Sequence, residues 1–168
     1  MEPVAHTPIR GVVDYSHTPD ALEQALLTLR AVPGTGRLLV VMGAGGDRDR
    51  AKRPLMGEVA ARYADVVLVT DDNPRTEDPA AIRAEVLSGI PEGTKAQVHD
   101  VDGRGEAIAL AAYLADVSDT ILVAGKGAET GQQIGGIVHP FDDRLRLRDA
   151  LRDAQPARGG ADDLDEGR

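Results

Sequence analysis

Short apolar runs alternate with longer amphipathic segments along the body of this chain. The runs at 11–15, 37–42, 65–70, 96–99 and 119–124 contain mainly branched apolar residues and predict strands. Helices are predicted from 19 to the Pro33-Gly34 break, from about 54, over 78–89, over 105–114 and over about 140–154. Thr18 and Pro19 are well suited to cap and begin the first of these helices.

This alternation predicts an α/β domain whose mostly parallel sheet is covered by helices on both faces. Ligands of such sheets bind outside the carboxyl ends of the strands. Four glycine-rich or polar loops follow predicted strands, at 15–17, 43–50, 71–75 and 125–129. We therefore expect a binding site where these loops meet.

The composition narrows the class of protein. The 168 residues carry a net charge of −9, which argues against nucleic-acid binding because such sites need a basic surface. Cysteine is absent, so disulfides, thiolate metal sites and a cysteine nucleophile are excluded. No apolar run has membrane-spanning length, and no signal-peptide pattern is present. We expect a cytoplasmic protein with no membrane partner and a disordered acidic tail at 155–168.

The loop at 43–50 combines glycines with Arg48 and Arg50. Backbone amides beside glycines and the forked donors of arginine suit an anion, but a tight turn with solvated charges explains the same residues. The loop lacks the G-x-x-x-x-G-K-[ST] pattern of a Walker loop. His6, His99 and His139 have no second histidine or carboxylate at metal-ligand spacing, so no metal site is expected within the chain.

The later loops carry charges of both signs. Asp72-Asn73-Pro74-Arg75 offers an acceptor, an amide and a guanidinium, which suits a zwitterion; a turn capped by its own side chains is the alternative. Glu129 follows Gly125-Lys126-Gly127 and can receive an ammonium group, although the segment can also be a plain turn. For Asp14 and His17, after the first strand, local hydrogen bonding is the simpler interpretation.

Taken in order, these loops resemble one known family. The segment VDYSHTPDAL at 13–22 is similar to the VDYAHTPDAL segment of the Mur ligases. The later blocks are similar to the family member that adds the third residue of the peptidoglycan precursor. They are GGDRDR at 45–50, KRPLM at 52–56, DDNPR at 71–75, EDP at 77–79, AGKGAE at 124–129 and FDDR at 141–144. The resemblance covers residues 11 to 151.

The resemblance implies a Rossmann-like α/β domain over 1–154, the Mur ligase C-terminal domain that brings the incoming amino acid. The N-terminal UDP-binding domain and the central ATPase domain of the family would be absent from this chain. The chain would then be one domain of a longer ATP-dependent acid–amino-acid ligase, inactive on its own. ATP and Mg²⁺ would be held mainly by the absent central domain.

The implied activity is the addition of meso-diaminopimelate to UDP-MurNAc-L-Ala-D-Glu, and these molecules and ATP are the implied partners. The residues that would line the diaminopimelate pocket are Arg48, Asp72, Asn73, Arg75, Gly125 and Glu129. Arg75 would pair with the distal carboxylate, which lysine lacks. Asp14 and His17 would face the nucleotide. No catalytic residue is expected within this chain.

Two positions depart from the family pattern. Ser16 stands where the family has alanine, and Ala128 stands where it has histidine, so any role of that imidazole is lost. The alternatives are a lysine-adding ligase, another carboxylate–amine ligase of the same superfamily, and a stand-alone binding module without catalysis.

Overall fold

The structure is a computed structural model that describes residues 1–6 and 8–154. The tail predicted at 155–168 lies outside these residues. The strands are β1 Glu2–Ala5, β2 Arg10–Asp14, β3 Leu38–Met42, β4 Val66–Val69, β5 Gln97–Asp100, β6 Thr120–Ala124, β7 Gly131–Ile134 and β8 Ile137–Pro140. The helices are α1 Pro19–Arg30, α2 Lys52–Tyr63, α3 Pro79–Leu87, α4 Arg104–Leu114 and α5 Asp143–Ala154.

Six strands form one sheet in the order β1-β2-β6-β3-β4-β5. Strands β2 to β6 run parallel, and β1 pairs antiparallel with β2 at one edge. In the register, Leu122 of β6 lies opposite both Val12 of β2 and Val40 of β3. The predicted mostly parallel α/β sheet is therefore confirmed.

The alternation of side chains along the strands divides the core into two layers. On one face, Val40 and its neighbours pack against apolar residues of α1, α2 and α3. On the other face, Val41 and its neighbours pack against α4 and α5. Because both faces are covered, β3 and β6 are buried along their whole length.

A local signal explains the start of α1. Thr18 Oγ1 accepts a hydrogen bond from the Ala21 amide at 3.3 Å, and Pro19 is the first residue of α1, as predicted. Helix α2 begins at Lys52, earlier than predicted from Pro54. Proline is tolerated inside the first helical turn, where its missing N–H would have had no partner.

Three strands were not predicted, and one helix boundary was wrong. β1 has only two apolar residues and forms because it pairs with β2. β7 and β8 form a separate antiparallel hairpin. Pro140 belongs to β8, so α5 begins at Asp143 rather than near 140. Within the described residues, no helix is both long and apolar enough to cross a membrane.

Candidate functional site

The four loops predicted to form a site do meet at the carboxyl edge of the parallel strands. They surround a cavity of about 290 Å³. Its walls are Tyr15, His17, Gly43, Ala44, Gly45, Arg48, Asp49, Lys52, Asp72, Asn73, Arg75, Gly125 and Glu129. All six residues predicted for the amino-acid pocket line this cavity, and so does His17.

The loop at 43–50 and the loop at 71–75 are interlocked. The Gly46 amide donates to the Asn73 carbonyl at 2.9 Å, and Arg75 Nη1 donates to the Gly46 carbonyl at 2.7 Å. A β-carbon at Gly46 would lie 1.8 Å from the carbonyl oxygen of Pro74, so only glycine fits this approach. The two loops therefore hold one another in place.

Both backbone groups of the half-buried Arg75, its amide and its carbonyl, form hydrogen bonds. Its backbone has φ of 56°, a left-handed conformation that is unfavourable for a residue with a β-carbon. The backbone amide of Arg75 donates to the Gln133 carbonyl at 3.0 Å, and the Arg75 carbonyl accepts from the Gly135 amide at 2.6 Å. The β7–β8 hairpin thus fixes the conformation that places the Arg75 guanidinium in the cavity wall.

A buried ion-pair cluster supports these loops from below. Arg53 of α2 has no exposed side-chain surface; it donates to Glu77 at 2.8 and 2.9 Å and to the Gly45 carbonyl at 3.0 Å. Arg53 also pairs with Glu85 of α3 at 2.9 Å. The hydrogen bonds from Arg53 and from the Asp47 amide lower the pKa of Glu77 to about 2. The cluster therefore ties the glycine loop to α2 and α3.

Lys126 forms a second cluster with Asn73 and Glu129, two residues that line the cavity. The ammonium of Lys126 donates to Asn73 Oδ1 and Glu129 Oε2, both at 3.1 Å. Asn73 Nδ2 donates to the same Glu129 oxygen at 3.1 Å. Burial alone raises the pKa of Glu129, but the hydrogen bonds from Lys126 and Asn73 outweigh burial and hold that pKa below its usual value. Glu129 is therefore an anion at neutral pH.

The Asp72 carboxylate differs from that of Glu129 in having no hydrogen-bond donor among the described residues. The residue is only 9% exposed. Its Oδ2 atom lies close to Gly125: a β-carbon added at Gly125 would be 2.5 Å from this oxygen. Within residues 1–6 and 8–154, no side chain or amide donates a hydrogen bond to this carboxylate. Nearly buried carboxylates normally have a donor, so Asp72 is suited to receive one from a ligand.

The floor of the site contains a fully buried ion pair. Arg104 of α4 and Asp143 of α5 form two parallel hydrogen bonds, at 2.7 and 2.8 Å. Arg104 also donates to the carbonyls of Ala124 and Asp71, at 3.0 and 3.2 Å. Burial lowers the pKa of Arg104, but the charge and hydrogen bonds of Asp143, together with the charges of Asp72 and Glu129, outweigh burial, so the net shift is upward and the guanidinium stays charged. This pair connects α4, α5 and two site loops.

The remaining predicted residues differ in how they relate to the cavity. Arg48 is exposed on the rim, with Nη1 donating to the Asp47 carbonyl at 3.2 Å. His17 donates from Nδ1 to the Tyr15 carbonyl at 2.8 Å, and the two rings are 4.6 Å apart. Asp14 does not line the cavity; it pairs with the α-ammonium of Met1 at 2.6 Å. Nucleotide contacts for Asp14 and His17 stay predictions.

Sequence reasoning missed the residues that support the site. Lys126, Arg104 and Arg53 carry buried charges, and each has at least one partner that is distant in the sequence. Only the placement of Lys126 between two glycines of a rim loop could have drawn attention to it. In the part of the chain that the structure describes, no group of three His, Asp or Glu side chains is arranged to hold a metal ion.

Comparison with known proteins shows which family this chain belongs to. The family model described as Mur ligase, glutamate ligase domain, matches residues 1–127. The chain belongs to the Mur ligase family. Two relatives are the UDP-N-acetylmuramoyl-L-alanyl-D-glutamate–2,6-diaminopimelate ligases of Chelativorans sp. and Ectopseudomonas mendocina. The Chelativorans protein is 52% identical over 141 residues, and the Ectopseudomonas protein is 53% identical over 142 residues.

The match covers only part of these Mur ligases. It includes 84% and 83% of this chain but 28% of each relative, so the chain spans less than a third of their length. A solved structure of a ligase with the same name superposes with a TM-score of 0.84 at 44% identity, over 91% of this chain and 31% of that one. E. coli FolC in complex with ADP shares the fold alone, with a TM-score of 0.54 at 24% identity over 73% of this chain and 27% of that one.

Proposed function

We propose that this chain is the amino-acid-binding domain of an ATP-dependent ligase that adds meso-diaminopimelate to UDP-MurNAc-L-Ala-D-Glu during peptidoglycan precursor synthesis. The observation that carries the proposal is the charge pattern of one cavity. It contains the Asp72 and Glu129 carboxylates together with the guanidinium groups of Arg48 and Arg75. The relatives, which are about half identical to this chain, are named as ligases of the same substrate, and this supports the proposal.

The charges match a metabolite with two zwitterionic ends. Two carboxylates can each receive an ammonium group, and two guanidinium groups can each hold a carboxylate through paired hydrogen bonds. meso-Diaminopimelate has two ammonium groups and two carboxylates, whereas lysine has a single carboxylate. We assign the distal carboxylate to Arg75 and the two ammonium groups to Asp72 and Glu129. With lysine, Arg75 would lack its ligand partner.

The role that follows is orientation of a nucleophile. In the proposed reaction, ATP phosphorylates the carboxylate of the nascent peptide and leaves as ADP. One ammonium group of the bound amino acid then loses a proton, and the resulting amine attacks the acyl phosphate, forming an amide bond as inorganic phosphate leaves. Fixing that amine in a preformed site supplies the alignment of the two reactants. ATP and Mg²⁺ are assigned to the part of the relatives that this chain does not span, with His17 placed nearest to the nucleotide from this side.

Titration of the ¹⁵N-labelled chain with meso-diaminopimelate and, separately, L-lysine tests the proposal. We expect saturable amide shifts at Asn73, Arg75 and Glu129 with diaminopimelate at up to millimolar concentration, and much weaker shifts with lysine. Gly93, in an open loop, serves as the internal reference that should not move. Equal responses to both ligands would favour a lysine-adding or less selective ligase, and no response at millimolar ligand would overturn the pocket assignment.

A second measurement separates a ligase domain from a stand-alone binding module. The chain is incubated with ATP, Mg²⁺, meso-diaminopimelate and UDP-MurNAc-L-Ala-D-Glu, alone and with the missing two domains supplied as a separate polypeptide. We expect no product from the chain alone and product when the other domains are present. Binding without product in both cases would favour the non-catalytic module.

A further inference from the structure

Lys126 is a buried cation whose hydrogen-bonding capacity is fully used. It follows β6 and is 1% exposed. Its ammonium donates to the Gly131 carbonyl at 2.6 Å, in addition to Asn73 Oδ1 and Glu129 Oε2. A lysine ammonium has three N–H donors, and all three have an acceptor here. Burying a charge in this way is costly unless it is paired, so the position has a specific use.

The first consequence of these bonds concerns the Asn73 amide. Its oxygen accepts from Lys126 and also from the Gln133 amide at 2.8 Å. A flipped amide would place NH₂ against two donors, so only one orientation is allowed. In that orientation Nδ2 points to Glu129 Oε2. Lys126 and the Gln133 amide together therefore determine which end of Asn73 meets Glu129.

The second consequence concerns the Glu129 carboxylate. Its Oε2 atom accepts from both Lys126 and Asn73, whereas among the described residues no donor bonds to Oε1. The carboxylate is thus anchored through one oxygen and keeps the other for an external donor. A carboxylate held in this way needs no rearrangement when a ligand ammonium arrives, which favours binding.

We propose that Lys126 is a positioning residue for the amino-acid ligand. It fixes Asn73 and anchors one oxygen of Glu129, so that the second oxygen of Glu129 is presented as an anion to an ammonium group of the ligand. The inference rests on the proposed function, because that function supplies the diammonium ligand. It adds a residue that does not itself line the cavity.

The charges around Glu129 support this role. Arg75 approaches Glu129 from the 71–75 loop, and Arg104 interacts with it electrostatically from the floor. Asp72 faces the same cavity, with Arg48, Asp49, Lys52 and His17 on the remaining walls. Among the cations that the structure describes, only Lys126 donates a hydrogen bond directly to Glu129. Removing Lys126 should therefore raise the pKa of Glu129 more than removing any other cation.

The first experiment needs no ligand. Side-chain ¹³C carboxyl NMR follows the titration of Glu129 in the wild type, in Lys126→Met, and in Lys95→Met as the control with an exposed lysine. We expect the pKa of Glu129 to rise by about one unit or more in K126M, a tenfold change in its protonation ratio, and to stay unchanged in K95M. If K126M does not fold, Lys126→Gln removes the charge but keeps a donor. An unchanged Glu129 titration in the folded variant would overturn the proposal.

The second experiment measures the affinity for meso-diaminopimelate by calorimetry from about pH 4 to about pH 8, a range that includes the ordinary glutamate pKa. We expect a nearly flat profile for the wild type and for K95M. In K126M the affinity should fall about tenfold or more at the acidic end and recover partly as Glu129 ionises. In the double variant K126M/E129Q, this pH dependence should be absent. A role in folding alone would lower the affinity equally at every pH, and that result would also overturn the proposal.

The experiments distinguish a failure of the proposed function from a failure of the role proposed for Lys126. If the wild type binds no diaminopimelate, the proposed function fails, while the Glu129 titration still decides whether Lys126 controls that carboxylate. If the wild type binds but K126M behaves like K95M in both experiments, the proposed function stands and the role of Lys126 is wrong.

Discussion

The sharpest prediction concerns Arg75→Ala and the selectivity between diaminopimelate and lysine. The substitution removes the guanidinium assigned to the distal carboxylate. Alanine at φ of 56° carries much the same backbone strain as arginine, so the strain cancels in the comparison. Two internal hydrogen bonds are also lost, one to the Gly46 carbonyl at 2.7 Å and a longer one to the Asn73 carbonyl at 3.5 Å. The Gly46–Asn73 bond remains, so the loops should stay joined.

The magnitude follows from these bonds. A hydrogen bond involving a charged group contributes about 1.5–3 kcal/mol, so affinity for meso-diaminopimelate should fall about 10- to 150-fold. The affinity for L-lysine, which has no distal carboxylate, should change little. The free energy of unfolding should also fall, by about 1.5–3 kcal/mol, because the lost internal bonds have a charged donor.

The assay is calorimetry with both amino acids on the wild type, on Arg75→Ala and on a matched control. Arg62→Ala removes an exposed arginine of α2 that pairs only with Glu58 within the described residues, and it should leave both affinities unchanged. If the ratio of the two affinities is the same in Arg75→Ala as in the wild type, Arg75 does not recognise the distal carboxylate and the assignment is wrong.

Three further changes test the support of the site. Gly46→Ala places a β-carbon against the Pro74 carbonyl; it should destabilise the chain by about 1–3 kcal/mol or more, seen in urea unfolding, and weaken diaminopimelate binding. Asp143→Ala leaves Arg104 buried without its partner and should cost about 3–5 kcal/mol, seen as a lower Tm. Because the pKa of Glu77 falls from 4.5 to about 2 on folding, its stabilising effect is complete above pH 4.5 and is lost as the pH falls towards 2. Glu77→Gln should reduce stability at neutral pH and flatten this acid dependence.

Each change has a counterpart elsewhere in the chain. Gly93→Ala adds the same β-carbon where nothing lies within 4 Å. Asp149→Ala removes an exposed carboxylate of α5, and exposed pairs contribute little. Glu92→Gln removes an exposed carboxylate outside the Arg53 cluster. If a control substitution had an effect as large as that of its partner, Gly46→Ala, Asp143→Ala or Glu77→Gln, the named contact would not be the cause of that effect.

The features that were predicted correctly from the sequence are those that hydrophobic periodicity and local capping determine. The strands β2 to β6, the start of α1 at Pro19 and the meeting of four loops at one edge follow from short-range patterns. The β7–β8 hairpin was missed although its signal is present. Two short runs flank Gly135-Gly136, and both glycines adopt the positive φ of a tight hairpin turn, 57° and 82°.

The rest of the site could not be deduced from one sequence. Whether Lys126 is a solvated side chain or a buried cation depends on Asn73, which is 53 residues away in the chain. The Arg104–Asp143 pair joins residues 39 apart. Such pairings are determined by how the helices pack on the sheet. The resemblance to the Mur ligases brought the six lining residues together, but it said nothing of the residues that hold them.

The position of β6 has a consequence for how the chain folds during synthesis. β6 lies between β2 and β3, although it is made after β3, β4 and β5. Until Thr120–Ala124 leaves the ribosome, β2 has no parallel neighbour to pair with and β3 has one edge open. The nascent chain therefore exposes apolar strand edges, which favour aggregation, until β6 fills the place between β2 and β3 in the sheet. We expect translation pauses or chaperone contacts before residue 120 to affect yield more than those after it.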